Sequence, residues 1–249
     1  MNKRTMNRRR HGIVSCLAIT LLGTACSRSE APSLAQAGKV ADVSIVSYME
    51  QEAGTEPYPV RILASTNYVR LDDGYDESDY VLFDRRSRTL FSVSHAGRSV
   101  LEIRNHPFSG PLPADISLTE TPVVDEPAPT IAGKQPLHTV YLANGTPCYQ
   151  AISVGGLLDE AVAAMAEYAM ALGERQLDNM SSVPDTMQTP CFLSRYAYAP
   201  GRHYSQGLPV QLWDESGFYR SLTDFQTGET VDAALFELPG DYESILLGQ

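Results

Sequence analysis

A run of short, regularly spaced strand segments most constrains what this chain can fold into. The stretches "DYVLFD", "TLFSVS" and "SVLEIR" are rich in β-branched and aromatic residues, and the polar turns "RRSR" and "HAGR" separate them. Strand plus turn repeats at about ten residues, a spacing typical of antiparallel neighbours. Val40 to Tyr48 and "VRILASTNYVRLD" continue the pattern upstream. The sequence therefore predicts an antiparallel meander over the first half of the chain.

Adjacent apolar residues obscure which face of these strands is buried. Leu90 is followed by Phe91, and Val100 by Leu101, so no single alternating register accounts for both pairs. Apolar residues on both faces are expected for a curved sheet that is covered on its concave side. Further along the chain, "PVQLWDES", "GFYRSLTDFQ" and "ETVDAALFELP" alternate again, and we expect three closing strands there.

One long amphipathic helix interrupts the strand pattern. The stretch "GGLLDEAVAAMAEYAMALGERQL" is Ala-rich and has high helix propensity, and Glu160, Glu167 and Glu174 lie opposite its apolar residues. Its apolar stripe has spacings of four and three: Leu158, Val162, Met165, Ala169 and Leu172. Core packing and a partner or ligand groove both remain open for this stripe. The charged residues make a membrane span an unfavourable interpretation.

The N-terminus has the features of a secretory signal. Five basic residues precede the apolar stretch "GIVSCLAITLLG", which is too short to span a bilayer. The sequence "LGTA" before Cys26 resembles a bacterial lipobox, which implies lipidation of Cys26 and a mature chain that begins there. Multiple acyl chains would anchor such a chain stably. Ser27 then favours the periplasmic face of the outer membrane. An ordinary signal peptide with a coincidental cysteine is the alternative.

Domain organisation follows from this interpretation. Residues 1–25 are expected to be the signal peptide, 26–39 ("SRSEAPSLAQAGK" after the cysteine) a flexible tether, and 40–249 a single domain. The whole chain has 19 basic and 30 acidic residues; removal of the five basic residues in 1–25 leaves 14 and a net charge of −16. Such a charge argues against nucleic acid as a partner. The expected membrane contact is the lipid anchor.

Two cysteines remain in the predicted mature chain, Cys148 and Cys191. In an oxidising compartment a single pair is expected to form a disulfide. Two buried free thiols are the alternative. A catalytic thiol is disfavoured because no CxxC motif is present.

The order of these parts resembles the lipoprotein-sorting superfamily of half-barrels, and more narrowly a related bacterial secreted domain of unknown function. The resemblance rests on "YVRLD…YVLFDRRSRTLFSV", on "IAGKQPLHTVYLANGTPCYQAIS" before the helix, and on "GLPVQL" with "FELPGDY" near the end. It implies an α+β fold: a curved antiparallel β-sheet (half-barrel) with the long amphipathic helix packed on its concave face. It implies an envelope location and supplies no catalytic residues.

Catalytic and cofactor motifs are absent from the sequence. No G-x-S-x-G, H-E-x-x-H, P-loop or G-x-G-x-x-G occurs. The predicted mature histidines (His95, His106, His138 and His203) are far apart and fall mostly in turns and loops. We therefore expect no enzyme activity, no catalytic residue, no cofactor and no dedicated metal site.

One acidic turn, Asp72 to Asp79, could bind a cation. Its five carboxylates do not fit the calcium-loop spacing, because Gly74 comes too early and the twelfth residue is wrong. A looser calcium site and a pair of catalytic carboxylates are alternatives to a solvated turn. Asp and Gly favour the turn, and charge at a strand end discourages edge pairing.

Three functions are consistent with these features. The first is a non-enzymatic envelope lipoprotein that binds a hydrophobic ligand, such as a lipid or acyl chain, under the helix. The second is a structural or interaction lipoprotein with a filled core and a protein partner. The third is a hydrolase, which requires histidine and carboxylates to converge in a pocket.

Overall fold

The computed structural model describes residues 38–105, 107, 110–124 and 128–247. Twelve strands form one sheet in the order β12-β6-β5-β4-β3-β2-β1-β11-β10-β9-β8-β7. The strands are β1 Lys39–Gln51, β2 Tyr58–Ala64, β3 Tyr68–Asp72, β4 Tyr80–Asp84, β5 Thr89–Ser94, β6 Ser99–Arg104, β7 Leu118–Val123, β8 Leu137–Ala143, β9 Thr146–Val154, β10 Leu208–Trp213, β11 Tyr219–Asp232 and β12 Glu243–Leu247.

Helical structure is concentrated between β9 and β10. Helix α1 spans Asp159–Asp178 and the short helix α2 spans Pro190–Phe192. A π-helical segment, Leu193–Tyr198, continues α2, and a 3-10 segment, Arg202–Gln206, leads into β10. Further 3-10 turns occur at Met180–Ser182, Asp185–Met187 and Ala233–Phe236.

The predicted meander is confirmed over β2 to β6. Each of these strands pairs antiparallel with the next along the chain, from Arg61–Asp72 in the β2–β3 pair to Ser94–Ser99 in the β5–β6 pair. Short turns permit this arrangement because consecutive strands need only reverse direction.

The C-terminal strands differ from the prediction. Two of the three expected closing strands are parts of one 14-residue strand, β11, which pairs along almost the whole of β1 with three register shifts. Ala233–Phe236 is a 3-10 turn, and the chain then adds β12 in parallel to β6. A parallel pair requires a long connection, so neighbouring sequence carries no signal for it.

The predicted fold class is wrong. The described residues are predominantly β, in one twelve-stranded sheet, and do not form an α+β half-barrel with a long helix on its concave face. Edge strands β7 and β12 and the long β1–β11 pair enlarge the sheet beyond what the turn pattern indicated. Helix α1 contacts β2 and β3 on one side, and the Leu193–Tyr198 segment packs against it more extensively. It is thus covered by helical chain as well as by strands.

Both faces of the central strands are buried, which explains the ambiguous register. Phe83 belongs to a core cluster that includes Met165 of α1, whereas its neighbour Leu82 belongs to a second cluster that includes Phe236. Because α1 covers one face and the Ala233–Phe236 turn the other, consecutive residues of a strand are both apolar.

The predicted signal peptide, the lipidated Cys26 and nearly all of the predicted tether lie outside the described residues. Within the described part of the chain, no helix combines the length and apolarity that crossing a membrane requires.

Candidate functional site

A cleft of about 280 Å³ lies beside the second half of α1, and we call it the α1 cleft. Helix α1, the segment between α2 and β10, and the strands β10 and β11 with their turn contribute to it. Its lining residues are Glu52, Tyr168, Ala169, Leu172, Arg195, Tyr196, Pro200, His203, Tyr204, Leu212, Phe218 and Arg220. Most of these side chains are apolar or aromatic, and a few polar groups converge among them, as in small-molecule sites.

An ion pair between neighbouring strands forms one wall. Arg220 of β11 lies opposite Glu50 of β1, and its Nε and Nη2 both donate to Glu50 Oε1 at 2.7 Å. The guanidinium also lies over the ring of Tyr48, at 5.1 Å from its centroid. Burial alone would lower the pKa of Arg220, but Tyr204, Glu50 and Tyr48 outweigh it and raise that pKa. Arg220 therefore stays protonated, and Glu50 balances its charge.

A second arginine is enclosed by aromatic rings. Arg195 lies about 5 Å from the ring centroids of Tyr149, Tyr196 and Phe218, within cation–π range. Its Nη1 donates to Asp214, which also accepts hydrogen bonds from the backbone and hydroxyl of Ser216. Burial would raise the pKa of Asp214, but the Ser216 hydroxyl and the Arg195 charge lower it overall.

His203 is the least satisfied polar group of the cleft. The residue is 7% exposed, and neither ring nitrogen has a hydrogen-bond partner. The ring packs edge-on against Tyr149 and lies 4.2 Å from the centroid of Tyr204. Burial, and then the charges of three nearby arginines, lowers the pKa of His203 to about 3. The imidazole is thus neutral at physiological pH, with one donor and one acceptor unused.

This geometry does not favour acid–base catalysis. A general base works best when its pKa lies near the operating pH and when a second group orients it. His203 has a pKa of about 3 and no carboxylate hydrogen-bonded to it. The cleft is therefore better suited to binding than to proton transfer.

The predicted ligand face of α1 is divided between core and cleft. Val162 and Met165 are buried in the main core cluster, which fills the space between helix and sheet there. Leu158 precedes the helix with a left-handed backbone, at φ 55°. Ala169 and Leu172 line the α1 cleft, and Leu172 is 43% exposed. The core-facing positions are mainly alanines, which let the chain approach closely: Ala161, Ala164 and Ala171.

The acidic turn is organised by arginines. Both oxygens of the buried Asp72 accept from Arg61, at 2.8 Å each, and Oδ2 also accepts from Arg70 Nε at 2.7 Å. Asp73 caps the turn through Tyr75 N and Ser78 Oγ. Among the described residues, no group of three or more His, Cys, Asp or Glu side chains is arranged to hold a metal ion.

The predicted disulfide between Cys148 and Cys191 is confirmed. It joins β9 to α2 with the Cα atoms 5.1 Å apart. The bond therefore ties the segment that carries Arg195 and His203 to the sheet.

The other predicted mature histidines do not converge with His203. His95 Nδ1 lies 2.8 Å from the hydroxyl of Tyr242, and His138 Nε2 lies 2.9 Å from Gln150 Oε1. His106 lies outside the described residues.

Sequence reasoning missed the polar residues of the cleft. It placed His203 in a loop and did not single out Arg195 or Arg220. The available signal was the stretch "RYAYAPGRHY", 195–204, where arginine, histidine and tyrosine alternate with small residues. Such a stretch is unusually rich in aromatic and cationic groups for a surface loop.

Comparison with known proteins gives no family. No protein-family model and no curated protein matches the sequence. Two solved structures of PNGF-II, in C2 and P21 space groups, align with TM-scores of 0.41 and 0.40 at 9% and 10% identity. Each alignment covers 83% of this chain but only 31% or 32% of PNGF-II.

Proposed function

We propose that this protein is a non-enzymatic binding protein of the cell envelope that holds a small amphipathic ligand in the α1 cleft. The observation that carries the proposal is a neutral, buried His203 without hydrogen-bond partners in an otherwise largely apolar and aromatic cleft. Unpaired buried polar groups are rare in folded proteins and often mark a missing partner. The N-terminal lipobox-like sequence and the disulfide support an envelope location.

The size of the cleft limits the ligand. A volume of about 280 Å³ lies at the lower end of the roughly 300–1,000 Å³ usual for ligand sites. One short acyl chain or a single ring system fits such a space, whereas a two-chain lipid does not. Leu172 and Ala169 would contact the apolar part of the ligand.

Native mass spectrometry of the full chain after gentle purification tests the proposal. We expect a bound compound that organic solvent extracts. In Ala169→Trp the indole would occupy the cleft, so the compound should be lost. Ala163→Trp on the exposed side of α1 is the matched control and should retain it. Wild-type protein that carries no compound, and that binds no amphipathic probe, would refute the proposal.

The alternative, a structural lipoprotein that binds a protein partner, is favoured by β12. This edge strand exposes Ile245, Leu246 and Leu247, between 37% and 42% each. Exposed apolar edge strands are prone to pair with other chains. A protein complex in the same spectra that is lost in Leu246→Lys and retained in Ala169→Trp would support this alternative.

A further inference from the structure

The charge balance around His203 leaves one positive charge without a counter-ion. Arg220 is paired with Glu50, and Arg195 with Asp214. Arg202 forms no ion pair with a carboxylate in the described part of the chain, and its Nη2 donates to the backbone carbonyls of Thr119 and Leu142. Two buried carboxylates thus balance three arginines, because the other acidic side chains nearby, Glu52 and Glu120, are exposed to solvent.

Buried polar groups without partners cluster around Arg202, and the guanidinium contributes two donors to them. Its Nε and Nη1 are buried without hydrogen-bond partners, as are both ring nitrogens of His203. The guanidinium lies over the rings of Tyr141 and Tyr149, at 5.0 and 5.8 Å from their centroids. Burial raises the pKa of Tyr149 to about 12, against the opposing charge of Arg202, so the phenol stays protonated. A donor-rich, cationic environment of this kind is completed by an acceptor that carries negative charge.

We propose that the ligand of the α1 cleft is a monocarboxylate, whose carboxylate accepts hydrogen bonds from His203 and Arg195 while its apolar part lies along Leu172. The proposal rests on the proposed binding function. A monoanion matches the single uncompensated charge of Arg202, whereas a phosphate dianion would leave a buried negative charge in excess. Arg202 does not line the cleft and acts through its charge.

The groups that face His203 come from every surrounding element. Arg195 is contributed by the π-helical segment, Arg202 and Tyr204 by the 3-10 segment, Tyr149 by β9 and Arg220 by β11. None is a carboxylate, and the one acidic residue that lines the α1 cleft with His203, Glu52, is exposed to solvent.

A matched pair of probes, octanoate and octanamide, tests the charge requirement. The two have the same chain and nearly the same shape, and only octanoate is anionic at neutral pH. Titration calorimetry of the full chain should show octanoate binding tighter by on the order of tenfold or more. Equal affinities would overturn the inference but leave the proposed function standing. If neither probe binds, the inference also fails. The proposed function is then tested separately, by whether organic solvent extracts a bound compound from the purified protein.

Variants separate a ligand-binding role of His203 from a structural one. His203→Phe removes the unpartnered nitrogens, so it should raise the melting temperature while reducing octanoate affinity to that of octanamide. Arg202→Met keeps the aliphatic stem, loses the charge and should have the same effect on the ratio of the two affinities. Arg104→Gln, at an exposed ion pair with Glu102, is the control and should change neither. An unchanged affinity ratio in both cleft variants would overturn the inference.

Discussion

Asp72 shows how one carboxylate of a charged turn acquires a structural role. Its side chain is fully buried and holds two guanidinium groups, those of Arg61 and Arg70, at the end of β3. Arg70 in turn donates to the carbonyl of Leu235 and lies 3.9 Å from the ring centroid of Tyr80. Asp72 therefore connects the acidic turn to the turn that covers the second core cluster.

The substitution Asp72→Asn should destabilise the protein strongly. It removes the carboxylate paired with the buried Arg70 and leaves Arg61 with Asp76 alone. Breaking a buried ion pair typically costs about 3 to 5 kcal/mol. Asp73→Asn, one residue along the same turn and exposed, keeps its acceptor oxygen and should change stability by less than about 0.5 kcal/mol. Urea unfolding of both variants measures the difference. Equal midpoints for the two variants would contradict the assigned role of Asp72.

At the scale of elements, the α1 cleft exists because a helical segment is held against the helix and the sheet. The Leu193–Tyr198 segment packs on α1, and a Cβ at Gly173 would meet Pro200 Cγ at 2.7 Å and the carbonyl of Ala197 at 2.8 Å. Only glycine permits so close an approach. The Cys148–Cys191 bond fixes the other end of this segment to β9.

Removal of the disulfide should loosen the cleft as well as the fold. The bond closes a loop with a sequence separation of 43, for which chain entropy predicts about 3 to 4 kcal/mol of stabilisation. Replacement of both cysteines by serine should lower the melting temperature and weaken octanoate binding. Thermal melts with and without reductant check this. Reductant should lower the melting temperature of the wild type and leave that of the double variant unchanged. A wild type whose melting temperature does not respond to reductant would show that the bond does not stabilise the fold.

At the scale of the whole molecule, buried titratable groups make stability depend on pH. His203 has a pKa of about 3 in the folded protein and an ordinary value of 6.5 when unfolded. Between these values the unfolded chain binds a proton that the folded protein does not, so acid favours unfolding. Asp72 contributes at lower pH: burial would raise its pKa, but hydrogen bonds from Arg61, Arg70 and Gly74 lower it overall. Stability from that carboxylate is lost as pH falls below its ordinary value of 3.8.

The free energy of unfolding should therefore fall as pH is lowered from 6.5 towards 3, by up to about 1.4 kcal/mol per pH unit from His203. The His203→Phe variant lacks this contribution, so its curve should be flatter in that window. Urea titrations of both proteins at a series of pH values give the difference, in which all other titrating groups cancel. Parallel curves would show that His203 titrates normally in the folded protein.

Local pattern was sufficient for the meander and the helix α1, and the presence of only two cysteines in the predicted mature chain was sufficient for the disulfide. The β2–β6 strands pair with their sequence neighbours, and period-two alternation with short polar turns encodes such pairs. The charge and spacing of residues 159–178 likewise favour a helix without reference to the rest of the chain. The meander and the helix depend on residues close in sequence, so the sequence alone determined them.

Only the tertiary structure decided the fold class and the cleft. The pairing of β1 with β11 and of β12 with β6 joins residues more than a hundred positions apart, and no local periodicity reports such partners. In the same way, the local sequence shows that the stretch 195–204 is rich in cationic and aromatic residues, but not that His203, Arg195 and Arg220 converge. They form a site because the twelve-stranded sheet and the disulfide bring a loop against α1, and burial then keeps the imidazole of His203 neutral.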